Sequence, residues 1–421
     1  MSVKFFRCSL LIVSLFCIPV AYAVDIRIDY SLDDNGFFGD PSDPDDGFKE
    51  RRDAIEAVAA FFSEILTDNL LAIDPSDFPG ASWTPQLFHP ATGFLTNLQT
   101  DLVIPEDEIV IFVGGRGLGG SGIGGPGGFS TANGSPEWFA RILGRGDQNA
   151  DSFTDSENSD VAPWGGSISF STTLNWNFSL TENLGGFEFV STAIHELCHV
   201  LGIGTADSWE NLITSSDLFT GEAVTRSFGA NTPVQSANGN GGHGHFEDTS
   251  QILMSDSYGS FGATHGTIQR VAMIPSGLDT GRNFRVLSDL DLAALIDIGW
   301  EVQVPTTIEE LTFSASSLAV VRWPSSSFID YQVTRSSNLD SDFVNQGPLQ
   351  AGNGNILSWE DPTTPTDRAF YRISASSVFP STGSGPLSAF TSFKAAIPSE
   401  DFLTIKGKIV YPIECGCETP F

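Results

Sequence analysis

The stretch STAIHELCHVLGIGTADSW, residues 191–209, constrains this chain more than any other. Phe189, Val190, Ala193, Ile194, Leu197, Val200 and Leu201 cover most of a helical circumference with apolar side chains, so the helix they predict has to be buried between other layers. Yet the same helix carries His195, Glu196 and His199. Residues four apart differ by about 40° in azimuth and about 6 Å in height, so the two imidazoles project from one face and can meet on one ion. Glu196 stands about 100° round from His195, close to such an ion but outside its ligand shell, where a general base would act. Gly202 lets the chain turn away sharply after the helix. Cys198 is read as a packing residue, with ligation as the alternative.

Two imidazoles do not complete a metal site, and the chain holds six histidines from which to find a third: His89, His195, His199, His243, His245 and His265. His89 precedes a proline, and His265 stands far beyond the others. The glycine-rich segment NGNGGHGHFEDTSQILMSD presents His243 and His245 two residues apart, on the same side of an extended strand, so both are candidates.

The combination of HELCHVLGIGT with a distant GHF and ILMSD resembles the metzincin zinc metallopeptidases, in particular the leishmanolysin-like and secreted bacterial types. In most metzincins the third histidine would fall at Thr205, whereas in leishmanolysin-like members an insertion separates it from the glycine. The resemblance implies His195, His199 and His245 as ligands of one catalytic Zn2+, with His243 the runner-up third ligand. It also implies Glu196 as the general base and Met254 as the methionine of the Met-turn beneath the metal. Some members carry a tyrosine two residues after that methionine; Asp256 stands there, and Tyr258 is left unassigned. The implied activity is that of a zinc metalloendopeptidase on protein or peptide substrates, and the implied fold is an α+β zincin domain, a twisted sheet plus the active-site helix. The rival reading is a secreted binding or adhesion protein whose protease-like domain has lost turnover; the intact Glu196 argues against it.

The rest of the chain supplies the setting. Residues 1–23, with Lys4, Arg7, an apolar core and Ala21-Tyr22-Ala23, read as a secretory signal peptide, so the protein is expected outside the cytoplasm, secreted or periplasmic. No later segment is long and apolar enough for a membrane span. Loss of the leader leaves 18 basic against 52 acidic side chains, a formal charge of −34, which disfavours nucleic acid as a partner. Residues 24–303 are read as the catalytic domain. VDIRIDY at 24–30 alternates as a strand, Arg51–Leu71 has helical apolar spacing, and IVIFVGG at 109–115 reads as a buried strand, the beginning of an α/β layer. In GGRGLGGSGIGGPGGFS, Gly115, Gly117 and Gly120 fit a dinucleotide fingerprint but open no helix, so a flexible surface loop is expected. The cluster Asp147, Asn149, Asp151, Asp155 and Glu157 reads as a solvated loop, with a Ca2+ site as its alternative. WGGSISFS at 164–171 is expected to be an edge strand able to pair with an extended substrate. VLSDLDLAALIDIGWEV at 286–302 predicts a helix with a capping box, Ser288 with Asp291, closed by Gly299.

After residue 303 the text becomes strands and turns. Residues 304–377 are expected to form a small all-β sandwich, similar to fibronectin-type-III-like modules that serve in adhesion or spacing, followed by a tail, 378–421. With Cys198, Cys415 and Cys417 alone left after processing, stability has to come from hydrophobic burial and not from disulfide staples; the Cys415–Cys417 pair carries no assignment.

Overall fold

The computed structural model describes residues 24–145, 159–180, 185–236, 243–247, 254–256, 268–274 and 287–302, together with 308, 310–314, 318–326, 329–337, 343–353, 355–363, 369–377 and 389–391. Residues 1–23, read above as a signal peptide, the acidic cluster from Asp147 to Glu157, Tyr258, His265, Cys415 and Cys417 lie outside these residues. The described chain is mixed α+β.

Strand β1 (Asp25–Asp29) follows the predicted alternation: Val24 and Ile26 are buried, and Ile28 and Tyr30 pack on the same core. Helix α1 (Lys49–Ile65) lies against it through Ile55, Val58, Ala59, Phe62 and Ile65, and the Ser63 hydroxyl accepts from the Ile26 N–H at 2.9 Å. The helix ends six residues before the predicted Leu71. Leu66 leaves it in an extended conformation, bridges Val302, and the Thr67 N–H donates to the Glu301 carbonyl. Pairing with the chain that follows the last helix of this half thus overrides the helical pattern.

Two sheets follow. Strands β2 (Ser82–Phe88) and β3 (Leu95–Asn97) pair with β6 (Gly128–Asn133) in the order β3-β2-β6. The main sheet has the order β1-β4-β7-β5, in which β4 (Glu108–Arg116) and β7 (Gly165–Ser171) are parallel to β1 and β5 (Gly122–Pro126) runs antiparallel. Here the structure departs from expectation twice. Residues 117–121 form the expected surface loop, but the segment beyond them forms β5 and β6, separated by Gly127. Consequently β7 is not an edge: β5 covers it, and β7 is buried along its whole length. The glycines serve close approach. A Cβ on Gly122 would stand 2.8 Å from the Glu196 Cγ, and one on Gly124 would run into the Glu196 backbone carbonyl.

Helix α2 (Pro136–Gly144) is N-capped by Ser135 and ends at Arg145, whose buried guanidinium donates to the carbonyls of Leu71, Glu108 and Pro105. Short strands β8 (Trp176–Asn177) and β9 (Phe187–Glu188) lead into α3 (Phe189–Val200), which is buried on almost every face, as its apolar circumference requires. Beyond it come α4 (Asp207–Glu210), β10 (Leu218–Phe219), α5 (Glu222–Phe228), β11 (Thr232–Pro233), and the antiparallel pair β12 (Met254–Asp256) and β13 (Ile268–Arg270). Helix α6 (Asp289–Asp297) has the predicted capping box of Ser288 and Asp291, and Gly299 follows with φ 122°, a left-handed turn that admits no side chain beside Asp160.

The C-terminal part is all β. Strands β14 (Glu310–Phe313), β15 (Ala319–Pro324) and β19 (Ile356–Glu360) make one antiparallel sheet. The other is built on β16 (Ile329–Ser336), paired with β17 (Val344–Asn345), β18 (Gln350–Ala351) and β20 (Phe370–Ser377), with β21 (Ala389–Thr391) added to β20. The segment LTIKGKIVYP lies outside the described residues. These sheets are not tethered at a distance. Trp323, Tyr331 and Tyr371 belong to the same continuous core as the α3 and α6 side chains. Arg226 reaches Asp330 at 2.7 Å, and the Ser326 hydroxyl donates to Asp289 at the start of α6. Among the described residues no helix is long and apolar enough to cross a membrane.

Candidate metal centre

Helix periodicity puts His195 and His199 side by side, and the segment 243–247 brings His245 to them. The three Nε2 atoms form a nearly equilateral triangle: 3.2 Å between His195 and His199, and 3.1 Å from His245 to each. A tetrahedral ion with nitrogen ligands at about 2.0–2.1 Å has ligand atoms about 3.3 Å apart, close to this spacing.

The opposite nitrogens fix the tautomers. Nδ1 of His195 donates to the Ala272 carbonyl at 2.7 Å, Nδ1 of His199 to the Ile203 carbonyl at 2.8 Å, and Nδ1 of His245 to the Gln235 side-chain oxygen at 2.8 Å. Because each Nδ1 faces an acceptor, it carries the proton, and three bare Nε2 lone pairs converge. Such an arrangement repels itself unless a cation lies between the rings. Burial also keeps the rings neutral: it lowers the His199 pKa, and burial together with His199 pushes His245 down to about 3. The group His195, His199 and His245 can therefore hold a metal ion.

His243 does not join them. Its Nδ1 lies 2.9 Å from a Glu210 carboxylate oxygen and its Nε2 3.0 Å from an Asp217 oxygen, so both ring nitrogens are engaged away from the triad. The runner-up ligand is thereby turned into a clamp on the loop, helped by the Trp209 indole N–H, which donates to the His243 carbonyl. The next turn of chain is pinned by Phe246, fully buried against Trp209 and Phe219, whose N–H donates to the Met273 carbonyl while Val234 bridges it in antiparallel fashion.

Glu196 is buried between α3 and β5. Burial pushes its carboxyl up to about 8, against the pull of the Gly124 N–H that hydrogen-bonds it; a cation held by the triad would act in the same downward direction as that N–H. Cys198 is a buried free thiol whose pKa burial raises well above the usual value, in keeping with packing.

Comparison with family models, with curated proteins and with solved structures returns no match.

Two supports of the site had no motif to announce them. Gln235 sits ten residues before the histidine it holds. Ala272, which orients His195, belongs to the turn Val271–Ile274, and that turn is hung from α6: the Asp291 carboxylate accepts from the N–H groups of Ala272 and Met273, both at 2.9 Å, while also closing the capping box with Ser288. The capping box was visible in the sequence, but its second task was not. Met273 in this turn is fully buried. Met254 begins β12, its backbone paired with Arg270, and its side chain lies outside the described residues; β12 is tied to α6 by the Ser255 hydroxyl, which accepts from the Leu290 N–H.

Proposed function

We propose that the chain is an exported zinc-dependent endopeptidase of metzincin type. The observation that carries this reading is the triad of imidazoles, each with Nδ1 committed to an acceptor, converging beside a buried carboxylate on the same helix. Neutral imidazoles in a tetrahedral three-nitrogen set suit Zn2+, with a position left open for water or substrate. A bound zinc ion supplies Lewis acidity, which acidifies water and draws charge from a peptide carbonyl.

The chain's own residues do the rest. Glu196 takes the proton of the attacking water and returns it to the leaving amine. The acceptors on Nδ1 keep the rings from turning. The main sheet ends in β5, whose outer edge, apart from the Gly124 N–H that Glu196 engages, offers backbone groups to an extended peptide beside α3; this role passes to β5 from β7, to which the sequence had assigned it. Peptide binding there is main-chain directed, which suits an endopeptidase acting on many sequences.

The test compares wild type with Glu196→Ala and His245→Ala, measuring bound zinc and the rate of cleavage of an unfolded protein. Glu196→Ala should keep zinc and lose at least about a hundredfold in rate, as expected when a general base is removed. His245→Ala should lose both zinc and rate. A zinc-loaded wild type inert toward every protein and peptide tried would replace the proposal with a binding function.

A further inference from the structure

The first turn of α6 carries two buried carboxylates, Asp289 and Asp291. Residues two apart on a helix differ by about 200° in azimuth, so these side chains leave the helix in opposite directions. Asp291 turns to the metal centre, where it holds the N–H groups of Ala272 and Met273 and so fixes the carbonyl that accepts from Nδ1 of His195. Asp289 turns to the C-terminal all-β part, where the Ser326 hydroxyl donates to it at 3.2 Å. Ser326 is held in turn: it is fully buried, and its N–H donates to the hydroxyl of Tyr331, a buried residue of β16, at 2.8 Å. The far end of α6 is tied to the same strand. Asp297 accepts from the N–H groups of Ala223 and Val224 at the start of α5, and Arg226 of α5 pairs with Asp330 of β16.

We propose that the all-β part is a positioning element of the metal centre: Ser326, through Asp289, sets the first turn of α6, and Asp291 in that turn sets the ring of His195. The proposal rests on the metal-binding reading of the triad and not on peptide hydrolysis. A buried carboxylate tolerates little loss of its donors. Without the Ser326 hydroxyl, Asp289 has to shift toward other donors, and the backbone it shares with Asp291 shifts with it. That movement reaches Ala272 through the buried Asp291 hydrogen bonds, and the His195 ring follows its acceptor. Side chains of β16 and α6 belong to one continuous core, so the displacement is passed on and not absorbed in a linker. Loss of a group that directly orients a metal-ligating histidine lowers affinity by about 10–100-fold. Ser326 acts further out, so its effect falls at or below the low end of that range.

The experiment titrates the full-length apoprotein with Zn2+ and compares Ser326→Ala with Tyr371→Phe. The second variant is a control that removes a buried hydrogen bond from the same part of the chain, that of the Tyr371 hydroxyl to Asp361 at 2.7 Å. Tyr371 pairs with Arg335, five residues along β16 from Asp330 and so about 16 Å from the tie to α5. Both substitutions should lower the unfolding midpoint by a few degrees. Only Ser326→Ala should weaken zinc binding, by roughly three- to tenfold. In the zinc-loaded protein it should also shift the Nδ1–H proton resonance of His195, which Tyr371→Phe should leave in place. Combined with Asp291→Asn, Ser326→Ala should add little further loss of affinity, since both act on the same turn. Affinity unchanged in Ser326→Ala, an equal fall in Tyr371→Phe, or losses that add in the double variant overturns the positioning role while leaving the metal centre standing. A wild type that binds no Zn2+ overturns both.

Discussion

The two halves of the candidate metal centre are made by opposite means. His195 and His199 come from one turn of a buried helix, and their convergence follows from 3.6 residues per turn. His245 stands 50 residues beyond His195 and owes its place to contacts that local spacing cannot encode: the Val234 bridge, the Trp209–Phe219–Phe246 cluster, Gln235 and the His243 clamp. The difference teaches that the helix is a standing half-site, and that metal affinity is decided by how firmly the second half is assembled.

The strongest test of this contrast is removal of the metal. A ligand that binds only the folded state contributes about 4 kcal/mol at a thousandfold excess over Kd, so chelation should lower the unfolding midpoint by many degrees. Hydrogen exchange should then rise at 243–247 and 271–274, where neutral rings no longer share a cation, and stay low along 190–200. Equal exposure of the helix would show that both halves depend on the ion alike, which ends the distinction.

Next in size is Asp291→Ala. Ala272, Met273 and Ser288 would each lose the acceptor of a buried N–H, at a cost of about 2–4 kcal/mol in all. Because the same turn carries the carbonyl that orients His195, zinc affinity should fall by about 10–100-fold as well. Stability lost with affinity intact would make Asp291 a helix cap and nothing more.

Asp291 also marks the limit of what sequence reading reached. The buried helix, the β1 alternation, the β4 strand and the α6 capping box were legible because each is written in residues three or four apart, or in strict alternation. The β5 edge was not, because glycine is chosen there for contact with Glu196, a residue more than seventy positions away, and its composition is that of a loop. His243 and His245 were indistinguishable by spacing; partners at Glu210, Asp217 and Gln235 separate them. The strands after residue 303 could be read singly, but their burial against α6 through Trp323 and Ser326 could not.

A smaller effect is expected for Gln235→Leu. The substitution keeps the volume near His245 but leaves its Nδ1–H without an acceptor, so stability should change by about 1 kcal/mol while zinc affinity drops about tenfold or more. Calorimetric titration of the apoprotein with zinc measures it. Unchanged affinity would mean that the Phe246 anchor alone orients His245.

The smallest effect belongs to His243→Ala. The clamp joins His243 to Glu210 and Asp217 at the protein surface, and burial opposes the charge on the ring while the two carboxylates outweigh it and raise its pKa. Partly exposed pairs of this kind contribute about 1 kcal/mol or less. If that energy acts wholly on the loop that carries His245, zinc affinity falls by no more than about fivefold. The stoichiometry of bound zinc should remain that of wild type, in contrast to His245→Ala. Loss of the bound ion in His243→Ala would make His243 the ligand and His245 its support, reversing the roles in the second half of the site while leaving the helix half unchanged.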